Sequence, residues 1–182
     1  VLMLVPSAFV RAESVNTLPA PTGYVNDFAG VLSPSTIQGV DALCEQVDRK
    51  AHAQIAVVTV KTIDGDQSIE EFTTALEDKW KVGTKGTDRG VLMVLVMTPR
   101  RGRIEVGYGL EGTLTDAISK VIIANAITPR FKTGDFSGGI SRGVDDIITV
   151  LTTDSSEWQQ RPSLRLDNQS TTDPTTWLFL AG

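Results

Sequence analysis

Asp88-Arg89-Gly90-Val91-Leu92-Met93-Val94-Leu95-Val96-Met97-Thr98-Pro99-Arg100-Arg101-Gly102-Arg103-Ile104-Glu105-Val106-Gly107 is the stretch that decides how this chain folds. Its first half is a continuous apolar, Val-rich run closed by Thr98-Pro99, the pattern of a buried strand. From Arg103 to Gly107 the pattern alternates, as it does in an antiparallel partner with one wetter face. The two halves read as a hairpin. The glycine-rich continuation Gly107-Tyr108-Gly109-Leu110-Glu111-Gly112 then leads into a helix. Asp88 precedes one strand and Glu111 follows its partner, so both come to the same end of the hairpin, with Asp116 one helical turn beyond.

Outward from the hairpin the elements alternate. Gln54 to Val60 has strong β composition and reads as the first core strand. Ser33-Pro34 opens a helix, with Ser at the N-cap and Pro at the first helical position, and Ile37, Val40, Leu43, Cys44 and Val47 recur at helical spacing. Ser68-Ile69-Glu70-Glu71 is a capping-box pattern, opening a helix through Trp80 that breaks at Gly83. After the hairpin the pattern predicts a helix from Thr113 to Ile127, a turn at Thr128-Pro129-Arg130-Phe131, and a last helix from Asp135 to Leu151. The order αβαββαα predicts an α/β fold in which helices cover both faces of a small mixed sheet.

Composition narrows the function classes. The 182 residues carry a net charge of −5, and apart from Arg100, Arg101 and Arg103 the basic residues are scattered. No phosphate-binding stripe results, which argues against a nucleic-acid partner. A single cysteine, Cys44, excludes an internal disulfide framework and a thiolate zinc cluster within one chain. It falls on the core face of its helix, and His52 reads as a surface or capping residue. Gly107, Gly109 and Gly112 match G-x-G-x-x-G, yet the next helix feeds no second parallel strand, and Glu111 would put a carboxylate where a pyrophosphate belongs. Gly83-Thr84-Lys85-Gly86-Thr87 lacks Walker spacing and reads as a flexible loop.

The chain divides into a leader (1–23), a domain (24–151), a polar linker (152–176) and an apolar tail (177–182). Val1 to Val10 resembles the end of a secretory h-region, with small residues near Ala12 suited to cleavage. Thr152 to Thr176 is polar with no sustained apolar period. Trp177-Leu178-Phe179-Leu180-Ala181-Gly182 is too short to span a bilayer, which needs roughly 20 helical residues. With an apolar continuation past Gly182, Trp177 would suit the interface at the start of a membrane anchor. The expected location is extracytoplasmic.

Five carboxylates are candidate metal ligands: Asp88, Glu111 and Asp116 first, then Asp27 and Asp135. Each also has an ordinary use. Asp116 could close a capping box with Thr113, Asp135 could be an N-cap, and Asp88 could sit in a turn. Clustered carboxylates need a cation or raised pKa values, and oxygen ligands without His or Cys favour Ca²⁺, and less so Mg²⁺, over zinc or copper. The same ion could hold a phosphate and activate water, the chemistry of a metal-dependent phosphomonoester hydrolase. No His, Cys or Ser constellation accompanies it.

Taken in order, Val25-Asn26-Asp27 with Gly30-Val31-Leu32-Ser33, Gln54 to Val60, Trp80-Lys81-Val82-Gly83, Asp88-Arg89-Gly90-Val91-Leu92, Arg103 to Gly112, Asp116, and Pro129 with Phe131, Gly134 and Asp135 resemble the TPM domain family over Tyr24 to Leu151. The resemblance implies a compact α/β/α sandwich in secreted or lumenal proteins, often with a signal peptide in front and a membrane helix behind. Some members bind calcium near the loops matching Asp88 and Glu111 to Asp116. Plant lumenal members have been assigned acid phosphatase activity and a role in photosystem II repair, and an animal member is an accessory subunit of an ion channel. Function varies on this one fold, so the resemblance leaves the activity open. With the acidic cluster and the two apolar ends it leads us to expect an extracytoplasmic, membrane-tethered module that binds a divalent cation and acts through a protein or envelope partner, with a metal-dependent phosphomonoester hydrolase as the alternative.

Overall fold

The computed structural model describes residues 12–83 and 87–164. Four strands form one mixed sheet in the order β1 (Val25–Asp27), β2 (Gln54–Val60), β3 (Gly90–Val96) and β4 (Arg101–Val106). β1, β2 and β3 are mutually parallel, and β4 returns antiparallel to β3 with Met93 opposite Ile104. The continuous apolar runs of β2 and β3 follow from cover on both faces. Ile55, Val57, Met93 and Leu95 face one core, whereas Ala56, Val58, Leu92 and Val94 face the other.

On the first face lie α1 (Pro34–Ala51), α3 (Asp116–Ile122) and α5 (Phe136–Thr152), which contribute Val40, Cys44, Ile118, Ile122, Val144 and Ile147. On the second lies α2 (Ile69–Trp80), packing Phe72 and Leu76 beside Val15 and Leu18 of the N-terminal segment. The result is the α/β/α sandwich. Because β1, β2 and β3 are parallel and adjacent in chain order while α1 and α2 lie on opposite faces, the two crossovers have opposite hands. One of them is the rare left-handed kind.

Helix starts follow the capping chemistry of the sequence. The Ser33 and Ser68 hydroxyls accept from the Thr36 and Glu71 amides at 3.2 and 3.1 Å, and Asp135 Oδ1 accepts from the Gly138 amide at 2.9 Å. His52 caps the end of α1 in the left-handed region, as a capping residue should. Elsewhere the structure corrects the expectations. Thr115, not Thr113, caps α3, and Leu43 is 42% exposed; α2 runs through Trp80 as expected, with Lys81 as its left-handed cap. Thr128-Pro129-Arg130-Phe131 is no turn: α3 continues through a π-helical stretch, Ile123–Ile127, into α4 (Thr128–Lys132). The widened turn just before Pro129 accommodates a ring that would otherwise clash with the carbonyl four residues earlier.

The domain also extends past its expected bounds. In the leader, Glu13 forms a β-bridge with Ile63, and Val15 and Leu18 are buried. Residues 152–164, expected to be linker, fold back as α6 (Ser155–Trp158) and a 3₁₀ turn (Pro162–Leu164), burying Trp158 and Leu164 in the first core. Arg161 fastens this segment to α5 by donating to Asp145 Oδ2 at 2.8 Å and to the fully buried Asp146 at 3.1 Å. The h-region reading of residues 1–10, the remainder of the linker, the anchor reading of 177–182 and residues 84–86 lie outside the described residues. Among the described residues no helix is long and apolar enough to cross a membrane.

Candidate functional site

The parallel strands divide the five carboxylates between opposite ends of the sheet. Asp27 closes β1 at the carboxyl end, where its Oδ1 accepts from the Val31 amide (3.1 Å) and the Thr59 hydroxyl (2.6 Å) and its Oδ2 from the Leu32 amide (2.9 Å). Asp135 caps α5 near the same end, where the amide of Ser33, the N-cap of α1, donates to Ser137 Oγ at 3.1 Å. Both carboxylates are held by local backbone. Asp88, Glu111 and Asp116 occupy the opposite end, beside the start of β3 and the finish of β4.

There the backbone itself makes the junction. Gly109 N–H donates to the Asp88 carbonyl at 3.0 Å, and Gly107 N–H donates to the Gly90 carbonyl at 2.8 Å. A Cβ at Gly107 would stand 2.2 Å from the Asp88 carbonyl oxygen, and one at Gly109 would stand 2.3 Å from that of Thr87. These glycines therefore let one loop lie directly on the other, so what approaches their backbone is the Thr87-Asp88 segment. Asp88 itself sits at φ +50°, the left-handed region that Asp tolerates better than most residues.

Two neighbouring clefts flank Val106. One is lined by Glu77, Asp78, Lys81, Asp88 and Tyr108, and Tyr108 is 82% exposed. The other is lined by Arg103, Glu105, Glu111, Asp116 and Ser119. Asp116 pairs with Lys120 at 3.2 Å, and Glu105 with Arg103 at 3.0 Å. Ser119 Oγ is buried without a hydrogen-bond partner among the described residues. Burial raises the pKa of Glu77, and the nearby charges of Glu105, Asp78 and Asp88 raise it further.

Glu77, Asp78 and Glu105 were missed in the sequence. A signal was present: acidic residues in the last turn of a helix oppose its dipole, and Glu77-Asp78 close α2. Among the described residues no three His, Cys, Asp or Glu side chains are arranged to hold a metal ion. The donors nearest to that chemistry are all oxygens, the set for a hard cation. On the first core face, Cys44 is fully buried and its thiol is pushed up to about 12 by that burial, so it is packing.

Comparison with known proteins agrees with this architecture. The family model described as the TPM domain matches residues 25–150. The solution structure of the N-terminal domain of a protein from P. gingivalis is similar at 35% identity, covering 78% of this chain and 92% of its own, with a TM-score of 0.72. The N-terminal domain of a Corynebacterium glutamicum protein shares the fold at 20% identity, 74% and 84% coverage and a TM-score of 0.55. A protein from the psychrophilic bacterium Bizionia argentinensis shares it at 17% identity, 80% and 93% coverage and a TM-score of 0.57. With the family model matched from β1 almost to the end of α5, the chain belongs to the TPM domain family.

Proposed function

We propose that this chain is an extracytoplasmic, membrane-tethered TPM domain that binds a divalent cation at the Asp88 end of the β3–β4 hairpin and acts through a protein or envelope partner. The observation that carries the reading is the pair of adjoining clefts at this end, one lined by Glu77, Asp78 and Asp88 and the other by Glu105, Glu111 and Asp116; the crowding of charge, after burial, raises the pKa of Glu77. A bound cation relieves such repulsion. Asp88 and Glu111 are the first ligands to test, because Asp27 and Asp135 are already committed to backbone amides. Asp116 would join them by releasing Lys120. Exposed carboxylates on loops suit the flexible coordination of calcium better than the strict octahedron of magnesium. Tethering rests on the apolar stretches 1–10 and 177–182.

The test is thermal unfolding of chelator-stripped protein with calcium, then magnesium, for the parent chain and for Asp88→Asn and Glu111→Gln. A ligand that binds the native state must raise its stability. A calcium-specific rise that both substitutions abolish is expected. No rise with either ion overturns the reading. The same samples are offered an aryl phosphate, and metal-dependent turnover lost in Asp88→Asn would replace the binding module with a hydrolase.

A further inference from the structure

α3 carries a hydroxyl that its own helix does not use. Ser119 is 3% exposed, and its Oγ has no hydrogen-bond partner among the described residues. A Ser or Thr within a helix commonly satisfies itself by donating to the carbonyl four residues back. The Thr73, Thr149 and Thr152 hydroxyls do so at 2.7, 2.8 and 2.7 Å. For Ser119 that carbonyl is Thr115, which accepts the Ser119 amide at 2.9 Å but not the hydroxyl. A buried hydroxyl without a partner forfeits its hydration and gains nothing in return, so a fold that keeps one needs a reason, and a bound ion is such a reason.

Ser119 stands where such an ion would come. It lines the cleft between β4, which contributes Arg103 and Glu105, and the segment entering α3, which contributes Glu111 and Asp116. Trp80 Nε1 is unpartnered too, but the cleft that Trp80 lines holds no carboxylate. Beside Ser119 the charges are partly engaged: Glu105 pairs with Arg103, and Asp116 pairs with the exposed Lys120. Glu111 makes no ion pair among the described residues. Calcium takes about six to eight oxygens, neutral ones among them, and a hydroxyl oxygen offers it lone pairs without adding charge to an already acidic cleft. We infer that Ser119 supplies a neutral oxygen ligand, beside Glu111 and Asp116, to the divalent cation. This rests on the cation reading and deepens it by naming a ligand that no charge pattern marks.

The experiment is calorimetric calcium titration of the chelator-stripped 182-residue chain, with melting in chelator alongside, for the parent, Ser119→Ala and Ser119→Cys. Ser119→Ala is expected to raise the calcium Kd at least about tenfold, the scale of a lost contact at a metal site. In chelator it should melt no lower than the parent, because it deletes a hydroxyl that has no partner. Ser119→Cys sets a soft sulfur in the same place, and should weaken calcium likewise while binding cadmium more tightly than the parent does. An Ala variant with the parent's calcium Kd overturns the inference and leaves the cation reading standing. An Ala variant that melts lower in chelator overturns it too, since the hydroxyl then serves the fold. Weaker calcium in both variants without the gain in cadmium puts Ser119 outside the coordination shell, and the inference falls. A parent that binds no calcium overturns the cation reading and this inference together. If Ser119→Cys fails to fold, Ser119→Ala decides.

Discussion

The amide of Gly109 donates to the carbonyl of Asp88 across 3.0 Å, binding the loop before β3 to the loop after β4. With the Gly107–Gly90 bond it extends the hairpin ladder, so that two acidic segments separated in sequence by a whole hairpin share an end of the sheet. It also explains two glycines whose spacing mimics a nucleotide-binding motif.

Gly109→Ala should destabilise the fold by about 2 kcal/mol, since its Cβ would meet the Thr87 carbonyl oxygen at 2.3 Å and a backbone atom cannot swing aside. Gly112→Ala, which meets nothing within 4 Å, should change stability by less than about 0.5 kcal/mol. Urea unfolding of the two variants checks the contrast. Equal losses would mean that the loops are not in register.

The raised pKa of Glu77 has a definite sign in stability. The native state holds this proton more tightly than the unfolded chain, so the contribution is complete below the unfolded carboxyl range and is lost as pH rises through the folded pKa. Glu77→Gln removes that loss. The variant should match the parent in acid, where the parent is protonated, and exceed it in melting temperature at neutral pH. Melting curves across the pH range, taken in chelator, test this. A variant less stable than the parent at neutral pH would contradict the crowding.

Asp27→Ala should cost about 2 kcal/mol by orphaning the Val31 and Leu32 amides and the Thr59 hydroxyl. Any calcium response should survive in this variant, because Asp27 lies at the far end of the sheet from Asp88. Chemical unfolding gives the first quantity and calcium titration the second.

The fragment 24–151 should be less stable than 12–164 by at least about 3 kcal/mol, since it lacks the buried Val15, Leu18, Trp158 and Leu164. Arg161→Ala in the longer chain should reproduce about 2 kcal/mol of the loss by removing a donor to buried Asp146. Denaturant midpoints of the three proteins measure both effects.

Cys44 should resist thiol reagents in the native protein and react only as the chain unfolds, its thiol being fully buried and pushed up to about 12. Thiol labelling rates followed through a urea transition should track global unfolding. Rapid labelling in buffer would show that α1 opens locally.

What the sequence determined by itself was local chemistry carried by long patterns. The apolar run from Gly90 to Val96 with the alternation after it defined the hairpin, Ser33, Ser68 and Asp135 announced their helices, and an ordered series of matches announced the family. Each signal rests on neighbours along the chain, where period and capping act directly. Tertiary structure decided the rest. β1 has three residues, too few for a period, and exists through non-local pairing of Val25 with Val57. Pro129 reads as a helix end until a π-turn makes room for it. Residues 152–164 read as polar linker because two isolated apolar residues, Trp158 and Leu164, and the Arg161 ion pairs dock them, which leaves no periodic pattern. The hairpin placed Asp88, Glu111 and Asp116 together, but nothing local marks that Asp27 and Asp135 reach the opposite end of the sheet. That separation depends on the parallel direction of β1 against β2 and β3, a direction set by how the two cores close and not by any residue alone.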